Sequence, residues 1–188
     1  MVTGIRQSAS PVPTFRAQRL ELRPLTPADA SRVRELAGDA RVADTTAEIP
    51  HPYEEGMAEQ WIESLPLLAA GGRLIWAIVH SQHGLVGCIE LRVEREHDRA
   101  ETGYWIGVPF WGQGYATEAV RAVCRFAFEQ LGLCRVYAHH IPRNPASGRV
   151  LAKAGMTKEG VLRQHVRARG RAEDIVIYGL LREEAALE

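Results

Sequence analysis

Two glycines, Gly112 and Gly114, fall at i and i+2 in "GYWIGVPFWGQGYATEAVRAVCRFAFEQLG", between an aromatic, β-branched run and a long run of helix formers. A loop that enters a helix N-terminus presents unpaired backbone N–H groups and the positive end of the helix dipole. Glycines there let a ligand come close to the backbone, and the combination favours phosphate. A tight strand-to-helix turn with no ligand explains the same spacing about as well. Two well-known cradles are excluded by the neighbouring residues. A P-loop needs Gly, four residues, then Gly-Lys-Ser/Thr. Gly107 and Gly112 have that spacing, but Gln113-Gly114 follow and supply neither lysine nor hydroxyl. A dinucleotide fingerprint needs Gly or Ala three residues after Gly114, where Thr117 stands. It also opens a βαβ unit, whereas the strand ahead of this loop follows a meander.

Other residues point less sharply. His139 and His140 are consecutive in "CRVYAHHI" and so face opposite sides of a strand. No second pair and no Cys-x-x-Cys joins them, so no metal site is expected, and a structural or exposed role is the simpler reading. Ser147 lies in no Gly-x-Ser-x-Gly elbow, which argues against a hydrolase. The basic run "RQHVRARGR" reads as a solvated hairpin tip. Lys plus Arg equals Asp plus Glu, 23 each, so neither nucleic acid nor an anionic membrane is an expected partner. No apolar run reaches the ~18–20 residues of a membrane span. Cys88, Cys124 and Cys134 are odd in number and each lies in an apolar segment, which suits a reduced cytoplasmic protein with packed thiols.

The elements that must position these groups can be read from periodicity and caps. At 188 residues and 46% hydrophobic content the chain suits one globular domain. Residues 1–14, with their Ser, Pro and Gly, read as a flexible leader; residues 15–182 form the domain; residues 183–188 read as a tail of partly vector-derived character. "RLELRPL" alternates as a first strand, and Thr26 with Pro27 opens a helix. A proline-broken loop leads to a second helix with Met57, Trp61, Ile62 and Leu65 on one stripe. "RLIWAIVH", "LVGCIELRV" and "RAETGYWIGV" follow as antiparallel strands. A helix over 116–131 carries Ala119, Val120, Val123, Ala127 and Leu131 at helical spacing and ends at Gly132. "CRVYAHHI" is a strand. Asn144 caps the next helix, with Pro145 at its first position and Gly155 at its end, and two strands surround Gly170. The order β-α-α-β-β-β-α-β-α-β-β places the fold in the α/β (α+β) class. It predicts a mixed, mostly antiparallel twisted sheet of about seven strands with helices on both faces. One parallel neighbour is added by a right-handed crossover after Trp105.

With the two nucleotide cradles excluded, "WGQGYATEA" resembles the pyrophosphate-binding motif of the GNAT superfamily of acyl-CoA-dependent N-acetyltransferases. The family pattern is Gln/Arg-x-x-Gly-x-Gly/Ala. Gly114 and Ala116 match its last two positions, and Trp111 replaces the Gln or Arg. That departure is similar to the branch that acetylates N-terminal amines of ribosomal proteins (RimJ/RimL-like), where "YWGxGYATEA" is usual. "NPASGRVLAKAGMTKEG" resembles the same branch's Asn-x-x-Ser…Lys-x-Gly-Phe…Glu-Gly segment, with Met156 in place of the aromatic. "RLELRPLTPADA" and "GRAEDIVIYGLL" also look like it, so the resemblance spans roughly residues 14–181.

The resemblance implies a single GNAT-like domain with splayed central strands and acetyl-CoA as co-substrate, without a metal. It places the pyrophosphate on the loop of Trp111, Gly112, Gln113, Gly114, Tyr115, Ala116 and Thr117. The pantetheine arm would lie along the backbone of Ile106 and Val108, with Asn144 opposite and Lys153 nearby. Pro109 would limit further ladder pairing after that strand and so suit the splay. The implied reaction is direct attack of an amine on the thioester. The family's usual proton donor, a tyrosine seven residues after the asparagine, is replaced by Leu151. Ser147 then takes the acid or thiolate-stabilising role, or else only bonds backbone in the helix's first turn. Glu101, which shares a strand face with Gly103 and Trp105, is the favoured base. Glu90 is the second choice, and a water chain without a dedicated base is the third. Tyr53 and Glu90 are candidates for the acceptor side. The acceptor is expected to be a protein N-terminal α-amine. A small amine (polyamine, amino sugar or antibiotic) and a non-catalytic acyl-CoA sensor are the alternatives, and homodimer formation stays open.

Overall fold

The structure, a computed structural model, describes residues 12–46 and 48–185. Most of the expected leader and the last three residues of the expected tail lie outside that range. Among the described residues, eight strands form one sheet. They are β1 (Phe15–Arg16), β2 (Leu20–Arg23), β3 (Arg73–His80), β4 (Gly84–Glu94), β5 (Arg99–Ile106), β6 (Arg135–His140), β7 (Thr157–Ala168) and β8 (Arg171–Leu181). Their order is β1-β2-β3-β4-β5-β6-β8-β7. Every pairing is antiparallel except β5 with β6. Five helices complete the fold: α1 (Ala30–Ala37), α2 (Ala40–Asp44), α3 (Met57–Ala70), α4 (Tyr115–Glu129) and α5 (Pro145–Lys153). α1 packs with α3 on one face of the sheet, and α4 packs with α5 on the other.

The expected order holds, with two additions too short for periodicity to reveal. β1 has only two residues. α2 has five, and Asp39 caps it by accepting from the Arg41 N–H. Thr26 is the expected cap, but a 3-10 turn over Pro27–Asp29 precedes α1. The α4 stripe is confirmed: Ala119, Val120, Val123 and Ala127 are fully buried, while Leu131 is only half-buried. Phe126 on α4 packs between Phe15 and Trp76, which brings the short β1 onto the core. Fully burying a Val- or Leu-sized side chain stabilises by about 1.5–3 kcal/mol, so α4 is held firmly against β2, β4 and β5. The expectation of three packed thiols needs correction. Cys88 and Cys124 are buried, but Cys134 is exposed, because it sits in the loop before β6 rather than in the strand. No helix among the described residues is long and apolar enough to cross a membrane.

The sheet opens at its middle. β5 and β6 pair only through Arg99–Arg135, Ala100–Val136 and Glu101–Tyr137. Beyond that point each strand follows its outer neighbour: β5 stays paired with β4 to Ile106, and β6 stays paired with β8 to His140. Pro109 is not the cause. It lies in a 3-10 turn over Val108–Phe110, past the end of β5, several residues after the strands have parted.

Candidate active site

The loop between β5 and α4 has the backbone its glycines imply. Gly112 and Gly114 have φ of +76° and +83°, in the left-handed region that side-chain-bearing residues avoid. Gly114 is the N-cap of α4, and no side chain caps it. The first backbone bond of the helix runs from Glu118 N–H to the Gly114 carbonyl (3.1 Å), so the N–H groups of Tyr115, Ala116 and Thr117 precede the ladder. A Cβ at Gly112 would meet nothing within 4 Å, and one at Gly114 only the Arg19 guanidinium at 3.3 Å. The glycine requirement here is therefore conformational on the protein side, and the space above the loop is open.

Local bonds hold the loop in place. The Trp111 indole Nε1 donates to the Ile106 carbonyl (2.6 Å), and Gln113 Nε2 donates to the Pro109 carbonyl (3.1 Å). Arg19 reaches over from the β1–β2 turn, bonding the Gln113 carbonyl at 3.1 Å and the Glu118 carboxylate at 2.8 Å. Trp111 thus ties the loop to the end of β5. All of the expected catalytic, cofactor-binding and acceptor-side residues line one cleft of about 1790 Å³ except Val108 and Gln113. Val108 belongs to the 3-10 turn and Gln113 faces outward, bonded to Arg19 and Pro109.

The cleft runs through the splay, and the two faces of β5 contribute different chemistry there. On one face, register aligns Glu90 with Gly103 and Arg92 with Glu101. Glu90 accepts from Arg73 Nε at 2.6 Å and from Arg92 Nε at 2.9 Å. Glu48, from the loop after α2, bonds the same two arginines. Burial alone would push the Glu48 carboxyl up, but the Arg92 and Arg73 hydrogen bonds outweigh it and hold it below the usual carboxylate range. Glu90 is thereby committed to an ion network. Glu101 faces Arg92 across the strands but makes its short contact elsewhere: its Oε1 lies 2.8 Å from His139 Nδ1, which gives His139 a partner in the cleft. Among the described residues no His, Cys, Asp or Glu cluster of three or more converges as a metal site would require.

On the opposite face, Tyr104 Oη lies 2.9 Å from Ser147 Oγ. Burial pushes the Tyr104 phenol up to about 12, so it is neutral at physiological pH. Sequence reasoning passed over Tyr104, and the alternation of "ETGYW" is the signal that could have found it, since it puts Tyr104 opposite Glu101. Leu151, at the family's tyrosine position, is fully buried in the core. Asn144 caps α5, accepting from Ser147 N–H at 3.2 Å, and its Nδ2 reaches the Thr45 carbonyl at 3.4 Å.

The roof of the cleft is also held by side chains. Arg169, at the β7–β8 tip, donates to the carbonyls of Ala43 and Ile49. Arg143 bridges Asp44 at 2.8 Å and Glu173 at 3.1 Å. The run "RQHVRARGR" is thus more than a solvated tip, because one of its arginines clamps the loop beside Tyr53. Tyr53 and Trp61 both line the cleft while packing partly against the core, and burial pushes the Tyr53 phenol up.

The sheet is parted at its centre, beside an uncapped glycine-led helix N-terminus whose free N–H groups favour an anion. The sequence profile described as "Acetyltransferase (GNAT) domain" matches residues 19–157. The uncharacterized N-acetyltransferase p20 of Bacillus licheniformis is 30% identical over 175 residues, covering 92% of this chain and 98% of that protein. The [ribosomal protein uS5]-alanine N-acetyltransferase of Escherichia coli is 33% identical over 78 residues, covering 42% of this chain and 40% of its own length. Among solved structures, the ribosomal L7/L12 α-N-protein acetyltransferase RimL in complex with coenzyme A superposes with a TM-score of 0.81 at 20% identity, covering 90% of this chain and 98% of that one. The chain belongs to the GNAT acetyltransferase family and is an acetyl-CoA-dependent N-acetyltransferase acting on an amine-bearing substrate.

Proposed function

We propose that the protein transfers the acetyl group of acetyl-CoA to the α-amine of a protein N-terminus. The observation that carries the site assignment is the two-sided splay, with Ser147 and Tyr104 on one face of β5 and Glu101 and His139 on the other. The pyrophosphate would sit on the N–H groups from Gly112 to Thr117, favoured by the dipole of α4. The Ile106 carbonyl is occupied by the Trp111 indole, so the pantetheine arm would pair with β5 through the N–H on that side. The amine nitrogen attacks the thioester carbonyl, the carbon–sulfur bond breaks, and the proton that the amine gives up ends on the thiol. Its departure falls to the Glu101 side, and the sulfur leaves towards Ser147. Glu90, already holding two guanidiniums, shapes the acceptor wall instead of taking a proton.

The partial match to the uS5-alanine acetyltransferase supports the α-amine reading, and so does amine chemistry. An α-amine has a free pKa of about 8 and a lysine about 10.4, so the former asks less of the base at neutral pH. The test is thiol release from acetyl-CoA with a panel of acceptors. Peptides with a free N-terminus should turn over, and the same peptides with a blocked N-terminus and an internal lysine should not. Turnover confined to polyamines, amino sugars or aminoglycosides would replace this reading with a small-molecule one. Binding of acetyl-CoA without turnover on any amine would point to a sensor.

A further inference from the structure

Ser147 is half-buried, lines the cleft, and stands in the first turn of α5. A serine hydroxyl rotates freely, so by itself it has no reason to aim its hydrogen at a departing sulfur. Tyr104 supplies the reason. Its phenol oxygen lies within reach of two acceptor atoms, and both belong to Ser147: Oγ at 2.9 Å and the backbone carbonyl at 3.3 Å. The phenol is half-buried in the cleft wall, and of the two atoms that can take its hydrogen Oγ is the nearer. A hydroxyl that accepts on one side keeps its own hydrogen for another partner. From Ser147, that hydrogen is left for the cleft.

We infer that Tyr104 is a positioning residue. By donating to Ser147 Oγ, it holds the serine hydroxyl as a hydrogen-bond donor directed at the sulfur of the leaving coenzyme. The inference rests on the acetyl-transfer reading above. As the carbon–sulfur bond breaks, its electron pair stays on sulfur and the Ser147 O–H stabilises the growing charge. The proton that finally resides on the thiol is the one lost by the amine, so neither Tyr104 nor Ser147 is consumed. The phenol comes to this serine from β5 and not from α5, whose Leu151 is buried in the core.

A double-mutant cycle tests this, with Tyr104→Phe, Ser147→Ala and the pair together. Each protein is checked for thermal unfolding, for acetyl-CoA affinity by calorimetry, and for kcat in the thiol-release assay. Tyr104→Phe should lower kcat about 10- to 100-fold, the range for one hydrogen bond to a developing charge, with acetyl-CoA affinity unchanged. Once Ser147 is alanine, the same change should cost nothing further, because the serine it positions is gone. Multiplying effects in the double variant, or equal losses in affinity and kcat for Tyr104→Phe, would overturn the inference while leaving acetyl transfer intact. A wild-type protein that releases no thiol with any amine would remove both.

Discussion

The glycine loop at the start of α4 and the charged wall across the cleft, proposed above to face the acceptor, are built from opposite materials. The cradle is backbone. Its two left-handed glycines, its uncapped helix start and the bonds that fix it from Trp111 and Gln113 all lie within a dozen residues of one another in sequence, with Arg19 the one distant support. The wall is side chain. Glu48, Arg73, Glu90, Arg92, Glu101 and His139 come from a loop and four strands, and they meet only because the sheet registers them. A site that binds the invariant part of a reaction can be written locally, in backbone geometry. A site that recognises the variable part is assembled from distant charges.

The largest effect should come from breaking the cradle. Gly114→Val forces a β-branched residue into a φ of +83°, which costs roughly 1–2 kcal/mol. It also places methyl groups where a phosphate would lie. Acetyl-CoA affinity measured by calorimetry should fall by at least about 100-fold, the equivalent of roughly 3 kcal/mol. Circular dichroism should remain native, because no core contact is lost. Unchanged affinity would show that the co-substrate is held elsewhere.

Next in size is the wall's Glu101. Glu101→Gln keeps the shape beside His139 and removes the charge. Acetyl-CoA affinity should be untouched while kcat falls about 10²-fold, a usual loss for a group that assists proton transfer, and the pH–rate profile should change form. A variant with wild-type kinetics at every pH would remove Glu101 from the reaction. Glu90→Gln should act differently. It weakens one of the two carboxylates, with Glu48, that bond both Arg73 and Arg92, which lie directly opposite each other on β3 and β4. Like charges facing across strands repel, and the pair is partly solvated. A stability loss of about 1–3 kcal/mol, read from denaturant unfolding, is therefore expected, with acceptor KM rising and acetyl-CoA affinity steady. A large drop in acetyl-CoA affinity would mean that cradle and wall are not separate devices.

The same division explains how much was legible in the sequence. Pro27, Asn144, Gly155 and the buried α4 residues Ala119 to Ala127 are local signals that landed where the periodicity and capping rules put them, whereas α4 ends at Glu129, with Gln130 as its C-cap, short of the expected stop at Gly132. The cradle was legible for the same reason. β1 and α2 were missed because two and five residues carry no period. The partnership of Glu101 with His139, and that of Tyr104 with Ser147, join residues separated by 38 and 43 positions. No local rule pairs them; only the register of β5 with β6 and the docking of α5 do. Cys134 misled because the apolar run around it continues past the strand's true start at Arg135.

The smallest effect should come from the roof, where Arg169 ties the β7–β8 tip to the carbonyls of Ala43 and Ile49. Its φ of +50° and the following Gly170 at +77° form a two-residue hairpin turn, which does not need the guanidinium to exist. Arg169→Ala should therefore leave the hairpin and the global stability nearly intact, within about 1 kcal/mol for one exposed hydrogen-bonding side chain. What it should change is local. Amide exchange across residues 43–50 should speed up by several-fold as the clamp opens, because local opening is set by few contacts there. Acceptor KM should rise about two- to threefold, with kcat and acetyl-CoA affinity unchanged. If exchange in that loop stays slow, Arg143 and the Glu48 network alone hold the roof. The basic run at the tip would then be the solvated surface that its composition first suggested.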